Sequence, residues 1–498
     1  MKQNGFLLAI LSLLIYHNSN AQYYQYYIGD PYSTTIVLDN IFTIPKPTES
    51  YQSQRMRAFA EGSFGLIRDD YSDHFRNPAY LIDGNKNEIF GDLGSIQDNS
   101  KFFLGGFIPI ADKSVGISIN LDGMRKNKFT ENYRYNSSSG QDFMETYTNE
   151  YPPRRYGTRF SFSSPINSDV NAGASYHFLK VEEISRSSIT RKNSDSLNFS
   201  DNLRLLDYSK FGTIHKIDAG TLLNFTNFVL DLKTTLLISS YKPKSQNETT
   251  IRSLFSTEYR AWFKPTDIDT RGGLISAVIS YVSPDKRHLM RFLAQSGYTT
   301  YDIKGKATTL DTVSYTSGST YKYITDGTRE GDGYVLDIRS GCGYERIFSK
   351  TFVAYAAISV NYILHKTNIS ENGNHTSVSS LTTTTVNMSK SPSEKLETID
   401  IRFPIALEYF YGDHVIFRGG FEPRYKTGET LKSILYSDFY NDRTFTYEQK
   451  HEITRNELSL SSNFGATIKH KDYGGVDLLF GNILTDTKFW SISLRVFI

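Results

Sequence analysis

One cysteine, Cys342, stands in a chain of 498 residues, alongside only 2 tryptophans. A single thiol forms no intramolecular disulfide and no cysteine zinc site. Long apolar runs are equally scarce. After Ile15 no stretch approaches the roughly 18 consecutive apolar residues that a transmembrane helix needs. Neither sign of charge dominates, with 55 Lys plus Arg against 53 Asp plus Glu and a net charge of +2. That balance argues against a nucleic-acid partner. The 10 histidines are scattered, with no His-x-His or His-Glu-x-x-His pair to suggest a metal or a cofactor.

What the chain does have is alternation. In the last eleven residues Trp490, Ile492, Leu494, Val496 and Ile498 are apolar, and Ser491, Ser493 and Arg495 between them are polar. Such period-2 patterning sets one strand face against an apolar medium and the other against a polar one. The same pattern recurs at Val115–Leu121, Phe228–Ile238, Phe352–Tyr362, Ile401–Tyr409 and Val415–Phe421. Tight turns precede or join these runs, at Ala111-Asp112-Lys113, Thr226-Asn227, Ser349-Lys350 and Gly412-Asp413, as antiparallel hairpins require. Each clear strand has 10 or more residues, enough to cross a bilayer at a tilt.

Polar stretches rich in Ser, Thr, Asn, Asp and Tyr lie between the hairpins, near 125–153, 185–208, 243–271, 303–331, 367–395 and 431–451. Short turns at one end and long connections at the other are the arrangement of an outer-membrane β-barrel. The 35 Tyr and 33 Phe suit rings at a membrane boundary, and a mean hydropathy of −0.41 suits walls whose two faces average out. The fold class expected is therefore all-β, a transmembrane antiparallel barrel of about 14 strands, 14 to 16 in all. Fourteen is favoured if the segments near 86–93 or 473–480 are irregular. The alternation of turns also requires Ile251 to Phe263 to belong to an external connection.

The opposite end has the marks of an export signal. Lys2 precedes an apolar run from Phe6 to Ile15, and Ser19-Asn20-Ala21 offers a small-x-small cleavage site. We expect a signal peptide over 1–21, cleaved after Ala21, an N-terminal hatch over 22–85 and the barrel with long extracellular loops over 86–498. The expected location is the outer membrane of a Gram-negative bacterium, with its lipid as one partner.

Residues 22–85 do not read as hairpins. Arg55 to Ser63 leads into Asp69-Asp70-Tyr71-Ser72 and then Asn77-Pro78-Ala79-Tyr80-Leu81. This order resembles the N-terminal signature of long-chain fatty acid transporter (FadL-like) barrels, a family that includes the shuttle barrels of type IX secretion. The resemblance implies a hatch up to about Leu81 inside a 14-stranded barrel, with Asp69, Asp70, Asn77, Pro78 and Ala79 as the hatch motif. Whatever the family, Pro78 forces Asn77 out of the α region, so the segment turns there.

If the apolar registers face lipid, the opposite registers place Asp337, Arg339, Glu345, Arg402, Glu408, Arg418, Glu422, Arg424 and Arg495 in the lumen. The alternative costs about 2–4 kcal/mol for each Arg on the lipid face at the midplane. These charges read as a network that holds the hatch and stiffens the wall, or as a polar conduit past it. Carboxylates such as Asp69, Asp70 and Asp73 in a polar turn more often cap the backbone than bind a metal. Single Ser, His and Asp residues occur, but nothing in the sequence pairs them for catalysis. The expectation is a non-enzyme that passively transports a small hydrophobic or amphipathic molecule, its ligand. The alternative is a barrel that docks a secretion or surface-protein partner through its external loops.

Overall fold

The computed structural model describes residues 58–59, 63–83 and 87–497, apart from 94–101, 123–126, 137–141, 152–153, 194–200, 253–255, 316, 380–381, 441–442, 471–473 and 481–489. The expected signal peptide lies outside the described residues, as do residues 22–57 of the expected hatch. All the described residues belong to one compact unit running from Ile44 to Ile498.

Short strands open the chain order: β1 (Glu88–Leu93), β2 (Phe102–Ile110), β3 (Lys113–Asp122), β4 (Asn127–Asn136), β5 (Asp142–Tyr151) and β6 (Arg154–Pro165). Long ones follow: β7 (Val170–Asn193), β8 (Asp201–Asn224), β9 (Phe228–Arg252), β10 (Ser256–Val282), β11 (His288–Tyr315), β12 (Thr320–Ser349) and β13 (Phe352–Val378). The remainder are β14 (Thr383–Arg402), β15 (Ile405–Tyr411), β16 (Val415–Tyr440), β17 (Arg443–His470), β18 (Gly474–Phe480) and β19 (Trp490–Phe497).

Every neighbouring pair is antiparallel, and β1 pairs with both β2 and β19, so the sheet closes on itself. Closure leaves no sheet edge facing lipid, as a membrane-spanning sheet must. Three of the nineteen segments do not add to the wall count. Strand β15 continues β14 past Phe403-Pro404, since β13 and β16 pair with both in one unbroken register. Proline has no N–H to donate to the ladder, which explains the interruption. The β4–β5 hairpin stands above the wall, where β5 pairs with the far half of β7 while β3 pairs directly with β6.

Sixteen wall strands remain, not about 14. The difference comes from β1 and β18, which lie in the two segments that seemed too irregular to count and are both fully paired. Ile251 to Phe263 straddles the far tip of the β9–β10 hairpin, opposite the short turns. The long polar stretches are themselves largely paired, because strands of 24 to 30 residues continue well beyond the 9–11 that cross a bilayer.

The alternation has the physical sense its composition demands. On β9, Leu232, Leu236 and Ile238 are exposed, while Asp231, Lys233, Thr235 and Leu237 between them are buried. Equivalent exposed rows run through Ile117 and Ile119, Phe160 and Phe162, Ile275 and Ile279, Ile405 and Leu407, and Leu494 and Val496. An apolar belt of that extent around a closed barrel is a surface made for lipid.

Candidate functional site

The described part of the hatch turns within 26 residues. Asp69 caps α1 (Asp70–Arg76), its carboxylate accepting from the Ser72 N–H at 2.8 Å. Asn77 closes the helix in an extended conformation, as the following proline requires, and a 3-10 turn runs from Pro78 to Asp83. Asp69, Asn77 and Ala79 are all buried. The structure thus brings the hatch-motif residues Asp69, Asn77, Pro78 and Ala79 together at one bend, with Asp70 as the first residue of α1.

Asn77 acts as a bolt. Its Nδ2 donates to Asp231 Oδ1 at 2.6 Å and to the Leu232 carbonyl at 3.1 Å, and its Oδ1 accepts from the Ala79 N–H. The socket is Gly220 on β8, where an added Cβ would stand 1.7 Å from Asn77 Oδ1. Further round the wall, on β12, Gly343 plays the same part, for its Cβ would come within 2.0 Å of the Leu66 carbonyl. Two missing side chains let the hatch lie flush against the barrel.

Charges complete the seal. Asp73 receives a two-pronged contact from Arg291 on β11, at 2.9 and 3.2 Å, and a third from Arg76 at 3.3 Å. Arg76 also donates to Asp231 on β9, and Arg291 reaches the Ile67 carbonyl at 3.1 Å. Burial alone would raise the Asp73 pKa, but Arg291 and Arg76 outweigh it and hold the carboxyl below its usual range. Beside this cluster, Asp218 gathers Lys233 at 3.2 Å, Arg159 at 3.4 Å and Lys216 at 3.7 Å, and Arg159 donates to the Phe75 carbonyl at 2.7 Å.

The lumen charges expected from sequence lie further round the wall, on β12, β14, β15, β16 and β19. Arg402 and Arg424 share Asp400, and Arg402 also meets Glu422 at 3.5 Å. Arg418 donates to Glu408 at 2.6 Å, Tyr355 donates to the same carboxylate, and Asp477 lies 3.3 Å from Arg418. Arg339 donates to the Phe64 carbonyl at 3.0 Å, while Asp337 is buried and Glu345 half-buried on the inner register of β12. Arg495 pairs with Glu88 at 3.2 Å across the β1–β19 closure.

Sequence reasoning missed Arg159, Lys216, Asp218, Asp231, Lys233 and Arg291. The alternation that put Leu230 and Leu232 toward lipid already put Asp231 and Lys233 inside.

Apolar contacts fill the rest of the hatch–wall joint. Phe75 packs in one cluster with Leu81, Phe90, Phe103 and Phe107, and Phe59 and Ile67 pack in another with Val353, Tyr355 and Ala406. On the inner register Leu237 and Val353 are buried, Phe410 packs on the Phe59 cluster and Phe497 is half-buried. Further from the short turns, the inner register carries a second apolar tier. Tyr241 pairs with Ile268, Ile268 with Ile303, and Ile303 with Gly331, beyond which stands Ile369. All four named apolar side chains are buried, as are the neighbouring Tyr301 and Val335.

These features define a class of protein: a transmembrane β-barrel of sixteen strands with a hatch bolted inside it. No protein-family model matches the chain, and no curated protein does. Among solved structures it is similar to the CymD monoaromatic hydrocarbon channel, at 11% identity over 88% of this chain and 97% of that one, with a TM-score of 0.33. It is similar also to the Ralstonia pickettii toluene transporter TbuX, at 13% identity over 86% and 93% of the two chains, with a TM-score of 0.29. The FrpB iron transporter from Neisseria meningitidis follows at 9% identity over 85% and 84%, with a TM-score of 0.30.

Proposed function

We propose that the protein passively transports a small hydrophobic or amphipathic molecule across the outer membrane of a Gram-negative bacterium, after export and removal of residues 1–21. One observation carries this reading: the buried apolar tier of Tyr241, Ile268, Ile303 and Ile369 on the inner wall. A water-filled pore has no use for such side chains on its inner wall, whereas an apolar solute that moved in among them would gain about 25 cal/mol for each Å² of its own apolar surface removed from water. The hatch charges are committed to one another and to backbone carbonyls, so their role is to hold the hatch rather than to do rim chemistry.

The test is mass spectrometry of small molecules retained after gentle detergent extraction from native outer membranes. The expected result is an apolar or amphipathic compound, enriched over a control barrel and lost in Ile303→Asp. Its absence from the wild-type protein would overturn the reading.

A further inference from the structure

Positive charge gathers at one place on the short-turn end of the barrel. The β10–β11 turn carries Lys286 and Arg287, the β12–β13 turn carries Lys350, and Arg346 stands on β12 just before it. All four side chains are exposed. Asp285 is the single acid in 283–288 and 346–352, and it is already engaged. It accepts from the Ser283 hydroxyl and from the Arg287 backbone N–H, the latter at 3.1 Å. The other described short turns show no such excess. Asp112 stands beside Lys113, Asp169 and Asp413 have no Lys or Arg in their turns, and Thr226-Asn227 has no charge.

Backbone bonds fix the grouping. The Arg287 carbonyl accepts from the Ile347 N–H at 2.9 Å, and His288 lies opposite Arg346 in the β11–β12 register. Arg287 and Arg346 are thereby held on adjacent strands, about 4.8 Å apart. Their height decides what they can meet. On the outward register of β12, Arg346 falls between Tyr344 and Phe348, and its guanidinium lies 4.6 Å from the Phe348 ring centroid. Arg346 therefore leans toward the turns, as a long cation does at the border of an apolar layer. His288 Nδ1 is 2.6 Å from Tyr344 Oη, a polar pair at the same level. Further into the belt the exposed residues are Tyr281 on β10 and Met290 and Phe292 on β11. A step from apolar side chains through aromatic rings to Lys and Arg marks the head-group level of a bilayer.

We propose that this rim binds the head group of an anionic phospholipid in the inner leaflet of the outer membrane. Lys286, Arg287, Arg346 and Lys350 face its phosphate, and its acyl chains lie along Met290, Phe292 and Phe348. Barrels of this kind point their short turns toward the periplasm, so the leaflet at this level is the inner one. A zwitterionic lipid brings its own ammonium and gains little from the patch, whereas a net negative lipid is attracted by every cation in it. An acidic soluble protein fits less well, because Arg346 sits on the belt side of Phe348, at a level that lipid occupies. The inference rests on the barrel's place in a membrane and is independent of what crosses the lumen.

Native mass spectrometry tests it on the full-length protein released from nanodiscs of phosphatidylcholine and phosphatidylglycerol in equal amounts. The wild type should retain phosphatidylglycerol over phosphatidylcholine by about tenfold. That preference should vanish in a variant carrying Lys286→Gln, Arg287→Gln, Arg346→Gln and Lys350→Gln. A second variant, with Lys113→Gln, Lys242→Gln, Lys244→Gln and Lys304→Gln, removes as much exposed charge elsewhere and should keep the preference. Equal retention of the two lipids by the wild type would overturn the proposal while leaving the barrel in its membrane. So would a preference that survives the first variant. A preference lost alike from both variants would also overturn it, because the attraction then follows total charge and not this rim.

Discussion

At Gly220 a single hydrogen atom decides how deep the hatch seats. Adding a methyl group there puts carbon 1.7 Å from Asn77 Oδ1, and Asn77 cannot retreat without giving up Asp231 and Leu232. Gly220→Ala should cost about 1–3 kcal/mol, typical of overpacking, and should leave residues 63–83 open to protease in an otherwise folded barrel. Gly419→Ala is the control, because its added Cβ meets nothing nearer than 3.9 Å. Equal protease resistance in both variants would refute the socket.

Asp73 makes a second residue-scale prediction, in pH. Its pKa in the folded state lies below the unfolded value, so its contribution is complete above about pH 4 and is lost as pH falls through the folded pKa. Protection factors for residues 63–83, corrected for the intrinsic pH dependence of amide exchange, should stay flat from pH 8 to pH 5 and fall only in stronger acid. Loosening between pH 7 and pH 5 would show that another group controls the hatch.

Along a strand, the relevant quantity is which face a position takes and how deep it lies. Leu232 is near the middle of the exposed row on β9, which runs from Phe228 to Ile238. Leu232→Arg should therefore cost about 2–4 kcal/mol in refolding titrations into bilayers, and Ile238→Arg less, because charge costs fall toward the membrane boundary. Matching costs at the two positions would mean that the belt is not embedded as described.

These same positions explain what the sequence made legible. Alternation depends only on local neighbours and a solvent contrast, so the strand faces, the tight turns and the inward side of β12, β14 and β16 could be read directly. Strand count depended on β1 and β18, which contain Gly91, Gly474 and Gly475 and have 6 and 7 residues, too few for a period to stand out. Partners of individual charges were hidden for a different reason. Arg291 and Asp73 are 218 positions apart, and nothing local to either announces the other. The Gly220 socket was equally silent, since a glycine in a strand reads as a weak point until the bolt is seen.

For the molecule as a whole, girth makes the hatch necessary. Barrels of sixteen strands are wide enough to leave an aqueous channel unless something fills them. Here the described hatch residues reach both sides of the lumen, from Gly220 and Asp231 on one wall to Gly420, against the Phe59 carbonyl, on the other. Two consequences separate a seal from a decoration. The wild-type protein in a planar bilayer should carry almost no ion current, and a chain lacking residues 58–83 should conduct steadily, as an open pore of this girth would. Asp231→Ala should fall between them. It removes the carboxylate shared by Arg76 and Asn77, leaves a buried guanidinium with one fewer partner, and should cost about 3–5 kcal/mol of hatch docking. Brief openings in that variant would place the hatch in equilibrium between seated and released states. If the deletion conducts no better than the wild type, the lumen is closed by the wall itself, and transport past the hatch must be abandoned in favour of a route that never enters the barrel.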